Sequence, residues 1–180
     1  MDIIETERLV LRKAKLTDAT DLLENFWSQE SQAKYMLWTP TTTYEDAVER
    51  TKRTIEFQKK YFAFVICEKK SNKAIGLVGF NHLGDGVYDD CGFGMGSQFV
   101  GKGYGSEILN KLVEVLFEKM GAKKIICSAF EENYASIRMQ EKCGFKFVKK
   151  DSGIRKRDGL NYTLVVNEIT REDYEKRKCN

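Results

Sequence analysis

SQFVGKGYGSEILNKL (residues 97–112) sets glycines at 101, 103 and 105 directly before a segment with helical apolar spacing. Glycine lets a backbone turn tightly, and a turn at the start of a helix gathers N–H groups at the positive end of the helix dipole. Such a place favours an anion, above all a phosphate. Two phosphate loops are excluded by spelling. A P-loop requires GxxxxGK[ST], but Lys102 lies between Gly101 and Gly103 and no hydroxyl follows it. A dinucleotide fingerprint requires GxGxxG near the start of a doubly wound chain, with an acid about 20 residues on. On the pattern alone, a turn that closes a strand-to-helix connection for steric reasons stays open as the alternative.

The flanking sequence places this turn. Upstream, 87–95 (VYDDCGFGM) follows GDG and is expected to be a strand; downstream, Ile108, Leu109, Leu112, Val113, Leu116 and Met120 line one face of a helix over 103–120, stopped by Gly121. A short buried strand over 123–130 (KKIICSAF) completes a right-handed strand–helix–strand unit with the glycine turn at its crossover. Further out, a strand is expected over 8–14, a helix over 16–27 capped by Thr17, and a helix over 41–60. Two β-rich runs around KKSNK span 61–83, a helix runs from 133 to 143 with a stop at Gly144, and two strands, FKFVKKD and LNYTLVV, flank a basic turn. The sum is an α+β domain with a mixed sheet, a single domain over residues 1–180.

Composition narrows the function classes. The net charge is +3, with 30 basic residues spread among 27 acidic ones, so there is no basic face of the kind a nucleic-acid binder concentrates. The five cysteines, Cys67, Cys91, Cys127, Cys143 and Cys179, form no CxxC pair and are expected to be reduced and mostly buried. His82 is the only histidine and lacks a second ligand nearby, so no metal site is expected. The amino terminus soon carries charges and no run of about 18 apolar residues exists, so neither a signal peptide nor a membrane span is expected and the cytoplasm is the expected address.

Several stretches together resemble one family. QFVGKG (98–103) matches the [QR]xxGx[GA] acyl-CoA pyrophosphate signature of the GNAT N-acetyltransferase superfamily, and NYASIRMQEKCGF (133–145) is similar to its Nxx[AS]xxxxEKxGF segment at the family's distance. ETERLVLRKAKLTDATDL and GFKFVKKDSGIRKRDGLNYTLVV resemble the opening and closing of the branch typified by ribosomal-protein N-terminal (alanine/serine) acetyltransferases. The resemblance implies a mostly antiparallel sheet with flanking helices, in which the strands before and after the glycine-turn helix splay apart and admit acetyl-CoA. It implies that the segment Gln98, Phe99, Val100, Gly101, Lys102, Gly103, with Tyr104 and Gly105 close behind, cradles the pyrophosphate. Asn133 would meet the pantetheine or acetyl group, Lys142 the adenosine end, and a backbone N–H around Met95 the thioester oxygen.

Acetyl transfer to an amine needs a neutral nucleophile, a stabilised oxyanion and a proton for the departing thiolate. Many relatives supply that proton from the tyrosine of LYEKxGF, but this chain reads MQEKCGF, with Gln140 where the tyrosine would stand. Attention moves to Ser136, which matches the serine proposed as the acid in the ribosomal-protein branch, with Tyr134 as a second candidate. For the base, Asp89, Asp90, Glu131 and Glu132 are available; Asp90 aligns with the glutamate of the branch's AEIG stretch, and strand alternation lets only one of Asp89 and Asp90 face the substrate. Trp38, in YMLWTP (35–40), and Glu132 are expected at the acceptor site. The expectation is direct transfer from acetyl-CoA to a primary amine, a protein N-terminus or a small molecule, without a metal. The alternative is a non-catalytic acyl-CoA-binding module of the same fold. The sequence leaves the acceptor open and admits a homodimer.

Overall fold

The computed structural model describes residues 2–179. Among them are eight strands and six α-helices. The strands are β1 (Ile3–Glu5), β2 (Leu9–Arg12), β3 (Phe62–Glu68), β4 (Lys73–Gly84), β5 (Val87–Met95), β6 (Lys124–Phe130), β7 (Lys146–Ile154) and β8 (Asn161–Thr170). The helices are α1 (Asp18–Leu22), which runs on as a π-helical turn (Leu23–Trp27), α2 (Glu30–Ala33), α3 (Tyr44–Lys60), α4 (Tyr104–Lys119), α5 (Tyr134–Lys142) and α6 (Arg171–Lys178). The chain forms two compact units: residues 1–81 with 91–104, and residues 82–90 with 105–180.

In the first unit the strands neighbour one another in the order β1, β2, β3, β4, β5, and β1–β2, β2–β3 and β3–β4 are antiparallel. Its core joins Leu22, Phe26 and Trp27 to Ala47 of α3 and to Val65 and Cys67 of β3. The glycines of β5 and the residue after it make this packing possible. A Cβ on Gly94 would come 2.8 Å from Phe26 and 2.6 Å from Met36, and one on Gly96 would stand 1.8 Å from the Asn25 carbonyl oxygen. The helical turn thus lies directly on the strand backbone.

In the second unit the order is β5, β6, β8, β7. β5 and β6 are parallel over Val87↔Lys124, Tyr88↔Ile125 and Asp89↔Ile126, whereas β6–β8 and β7–β8 are antiparallel. A register shift between Phe147 and Lys149 bulges β7. Of the expected apolar face of α4, Ile108, Leu109, Leu112, Val113 and Leu116 are buried and Met120 is half-buried, each large buried side chain contributing about 1.5–3 kcal/mol. Gly121, at φ 69°, ends that helix and lets Ala122 N–H reach the Leu116 carbonyl at 2.9 Å.

The expected α+β class and mixed sheet are present. Thr17 is not the side-chain cap expected of it: the Asp18 carboxylate accepts the Lys15 N–H at 2.7 Å and a two-pronged contact from Arg12 at 2.7 and 2.8 Å. The Thr17 backbone is itself helical (φ −66°, ψ −13°), not the extended conformation a capping hydroxyl needs, and the Asp18 and Ala19 N–H groups close onto the Lys15 and Leu16 carbonyls. The helix expected over 16–27 accordingly starts at Asp18 and loosens at Leu23. The pattern gave no sign of α6, which has almost no apolar face; the Thr170–Asp173 capping box and Tyr174 stacked 4.8 Å from Phe117 hold it.

Gly96→Ala is expected to destabilise the protein by about 3 kcal/mol, because backbone rather than a movable side chain opposes the new methyl. Denaturant unfolding of the variant against wild type checks this.

Candidate functional site

The first unit carries the glycine turn. Gly101 and Gly103 adopt φ of 83° and 81°, a region that L side chains rarely enter. No atom lies within 4 Å of a Cβ built on Gly101, so backbone conformation and not crowding demands glycine there. Gln98 is exposed, and its amide is tied to Asn25 and Gln29. Its Nε2 donates to Asn25 Oδ1 at 3.2 Å, and its Oε1 accepts from Gln29 Nε2 at 2.9 Å. Gln29 Oε1 in turn accepts the Ser97 N–H at 2.8 Å. The signature glutamine is thus a brace, and Asn25 and Gln29 are partners that sequence pattern alone did not reveal. The Lys102 ammonium lies 5.2 Å from the Phe99 ring centroid, Val100 is exposed and Met95 is buried. Trp38 packs edge-on to Phe26 at 5.4 Å. Arg50 lies 4.4 Å from the Trp38 ring and 4.7 Å from that of Trp27, and burial lowers its pKa to about 10.

Gly105, in the second unit, serves differently. It is helical, and a Cβ there would lie 2.5 Å from Met139 Sδ. The first turn of α4 therefore rests against α5, an approach that the contact of Cys143 Sγ with the Ser106 carbonyl at 3.8 Å continues.

α5 starts at Asn133, whose Oδ1 accepts the Ser136 N–H at 3.2 Å. Ser136 Oγ receives Gln140 Nε2 at 3.4 Å, and Gln140 Oε1 accepts from Asn167 Nδ2 at 2.7 Å. Gln140 is 3% exposed and Asn167 1%. The residue in the tyrosine's place is thus an amide held from behind, with its N–H toward Ser136. Asn167 escaped the sequence reading, although a lone amide within the apolar run LVVNEI of β8 is the mark of a buried polar partner. Tyr134 is 69% exposed, and Lys142 is exposed at the other end of α5.

Where the parallel β5–β6 pairing stops, Asp90 Oδ2 accepts the Ser128 N–H at 2.5 Å. Burial raises the Asp89 carboxyl pKa. Burial, then the charges of Asp90 and Asp89, raise the Cys127 thiol well above its ordinary range, while burial lifts Cys143 to about 11. Neither thiol is a nucleophile at neutral pH. Glu131 pairs with Lys150, and Glu132 is exposed on a cleft of about 360 Å³ that Ser152, Gly153, Tyr162 and Thr163 also line. No helix among the described residues is long and apolar enough to cross a membrane.

A glycine turn at a helix start, a strand on each side of that helix, and a second capped helix after the second strand are the parts that the sequence resemblance names. The acetyltransferase (GNAT) domain family matches residues 8–146. The uncharacterized N-acetyltransferase p20 of Bacillus licheniformis is 31% identical over 151 residues, 81% of this chain and 83% of that protein. Among solved structures, the ribosomal-protein-S5-alanine acetyltransferase of Vibrio fischeri is 20% identical with a TM-score of 0.74, covering 96% of this chain and 98% of that one. The microcin C7 self-immunity acetyltransferase MccE, in complex with acetyl-CoA and AMP, is 21% identical with a TM-score of 0.76, covering 91% and 93%. Both structures share the fold. This chain belongs to the GNAT acetyltransferase family, and it is an acetyltransferase.

Asp90→Ala, which leaves the Ser128 N–H without its acceptor, is expected to cost about 1–3 kcal/mol. Asp90→Asn keeps an acceptor oxygen and is expected to retain most of that stability, which thermal melts of the two variants compare.

Proposed function

We propose that this protein moves the acetyl group of acetyl-CoA directly to a primary amine, a protein N-terminal α-amine being the acceptor class closest to its sequence resemblance. The observation that carries the reading is the turn Gly101–Gly103, with two positive-φ glycines and Lys102 at the start of a 16-residue helix, in a chain whose family match spans both units. That match supports one acetyltransferase domain over residues 1–180. The turn fits a diphosphate: it is exposed, it has no Cβ at either glycine, and a cation and a helix dipole favour negative charge there. In this reading Gln98 to Gly105 hold the pyrophosphate, Met95 lies where an N–H meets the thioester oxygen, Asn133 meets the pantetheine arm and Lys142 the adenosine end.

In the reaction the amine nitrogen attacks the thioester carbonyl carbon, the C–S bond breaks, CoA leaves as a thiolate that takes a proton, and the amine loses one. Ser136 is the proposed proton source for the thiolate. Its Oγ accepts from Gln140, which turns the hydroxyl hydrogen toward another acceptor. The two carboxylates of β5 divide the remaining work. Asp90 holds Ser128, and Asp89, whose raised pKa brings it nearer the working pH, receives the amine's proton through water. Glu132 and the Tyr162 ring, on the cleft beside the β7–β8 hairpin, suit a cationic acceptor before it is deprotonated.

The reading is tested by thiol release from acetyl-CoA across N-terminal peptides, polyamines and aminoglycosides, with calorimetry of acetyl-CoA on the same preparation. Binding with release on peptides alone supports it. Binding with no release on any amine favours the non-catalytic module, and no binding overturns the assignment of the turn. Ser136→Ala is expected to lower kcat about 10–100-fold while leaving the acetyl-CoA Kd within about twofold.

Asp89→Asn is expected to lower kcat about tenfold and to remove the acid limb of the pH–rate profile. It is also expected to stabilise the fold at neutral pH. A carboxyl whose folded pKa is raised favours folding most when protonated, below its unfolded pKa; that advantage is lost as pH rises through the folded value. Asparagine stays neutral throughout, so the gain over wild type appears above that window in melts taken from about pH 4 to 8.

A further inference from the structure

The glycine turn is held from a distant point in the sequence. Arg8, the residue before β2, donates from Nη1 to the Lys102 carbonyl at 2.9 Å across 94 positions. Its guanidinium lies over the Tyr104 ring, 4.7 Å from the centroid. The Tyr104 hydroxyl donates to Glu68 Oε1 at 2.7 Å, and Glu68 Oε2 accepts from Ser71 Oγ at 2.8 Å. The Tyr104 bond, followed by that of Ser71, holds the Glu68 carboxyl below its usual range. A Cβ on Gly103 would come within 3.4 Å of Arg8 Nη2. Residues from the start of β2, the end of β3 and the start of α4 thus form one chain of contacts that ends on the peptide between Lys102 and Gly103, all within the first unit.

That peptide matters because a trans peptide points its carbonyl and the following N–H in opposite directions. A bond that fixes the Lys102 carbonyl toward Arg8 turns the Gly103 N–H away from it. Glycine at φ 81° would otherwise let this peptide swing, since it has no Cβ to restrict it. The planar guanidinium is well matched to this role, because its donors are fixed in one plane while its charge lies over the Tyr104 ring, a geometry that a lysine ammonium does not preset.

We propose that Arg8 is a positioning residue for the CoA diphosphate, locking the Lys102–Gly103 peptide so that the Gly103 N–H is preset toward the phosphate. This rests on the acetyl-CoA reading of the turn. The Tyr104 ring, itself held by its bond to Glu68, keeps the guanidinium in place, and Arg8 acts through the turn. The presetting spares the ligand the ordering of a flexible peptide. Its effect is therefore specific to donors that carry the diphosphate.

The experiment measures calorimetric Kd for CoA and dephospho-CoA, and kcat/KM for acetyl-CoA and S-acetylpantetheine, on wild type, Arg8→Ala and Arg8→Lys, with melting curves for all three. Arg8→Ala is expected to weaken CoA and dephospho-CoA by the same factor, about tenfold. Its kcat/KM with S-acetylpantetheine is expected to stay at the wild-type value, and Arg8→Lys to fall between. Unchanged affinity overturns the proposal, as does weakening of CoA alone, which would assign Arg8 to the 3′-phosphate. An equal loss with S-acetylpantetheine overturns it too, because Arg8 would then only support the fold. If wild type binds neither CoA nor dephospho-CoA, the acetyl-CoA reading fails and the proposal falls with it. Binding by wild type with no effect of either substitution removes this proposal alone.

Discussion

Parallel pairing of β5 with β6 runs for three residue pairs and stops at Asp89↔Ile126. Two residues further along β6, the Ser128 N–H lies beyond the last of those pairs, and a half-buried donor left without an acceptor costs stability. Asp90 solves this with a side chain. A charged acceptor on a backbone N–H is stronger than the neutral bond it replaces, so the ladder can end sharply. The same choice has electrostatic consequences. Burial, and after it the two adjacent carboxylates, raises the Cys127 thiol pKa, and burial raises that of the Asp89 carboxyl. A backbone clip, a buried thiol and a buried carboxyl thus lie together where the strand pair ends.

The glycines show one residue type serving three physical ends. Gly101 and Gly103 are required by backbone conformation, with φ of 83° and 81°. Gly94 and Gly96 are required by the approach of the Asn25–Phe26 turn, where a methyl group would meet a ring or a carbonyl. Gly105 is required by the sulfur of Met139. Only the first pair enters the proposed phosphate site. A motif that counts glycines treats all of these alike; the structure separates them by what a Cβ would strike and by the sign of φ.

The strand, turn and helix around residues 87–121 were legible because period, glycine stops and apolar spacing agree there, and α4 differs from its expected span by a single residue at each end. Asn133 as helix cap was also legible, since the side chain and the chain direction both mark that junction. The misses have separate causes. Thr17 makes no cap because its backbone is already helical and the preceding turn takes the Asp18 and Ala19 N–H groups. The terminal helix α6 has no apolar periodicity to read, being held by its cap and by Tyr174. Arg8, Gln29 and Asn167 act across long sequence separations on groups that no local pattern pairs with them.

Gln140 changes meaning once its surroundings are known. By spelling it is the loss of a tyrosine acid. In the fold it is a buried amide whose carbonyl is occupied by Asn167, so its N–H is committed to Ser136. A phenol there would have to satisfy both neighbours with one oxygen, whereas an amide supplies an acceptor for one and a donor for the other. Burying two amides is tolerable because each covers the other's polar demand. A serine is a weak acid, and orientation is the lever that a protein has over it: an Oγ that accepts from behind must direct its hydrogen forward. The same logic underlies the role proposed for Arg8, whose bond to the Lys102 carbonyl would set the direction of the Gly103 N–H. In both places the group that would touch the cosubstrate is common to the family pattern, and a buried or stacked partner behind it fixes the direction in which it donates.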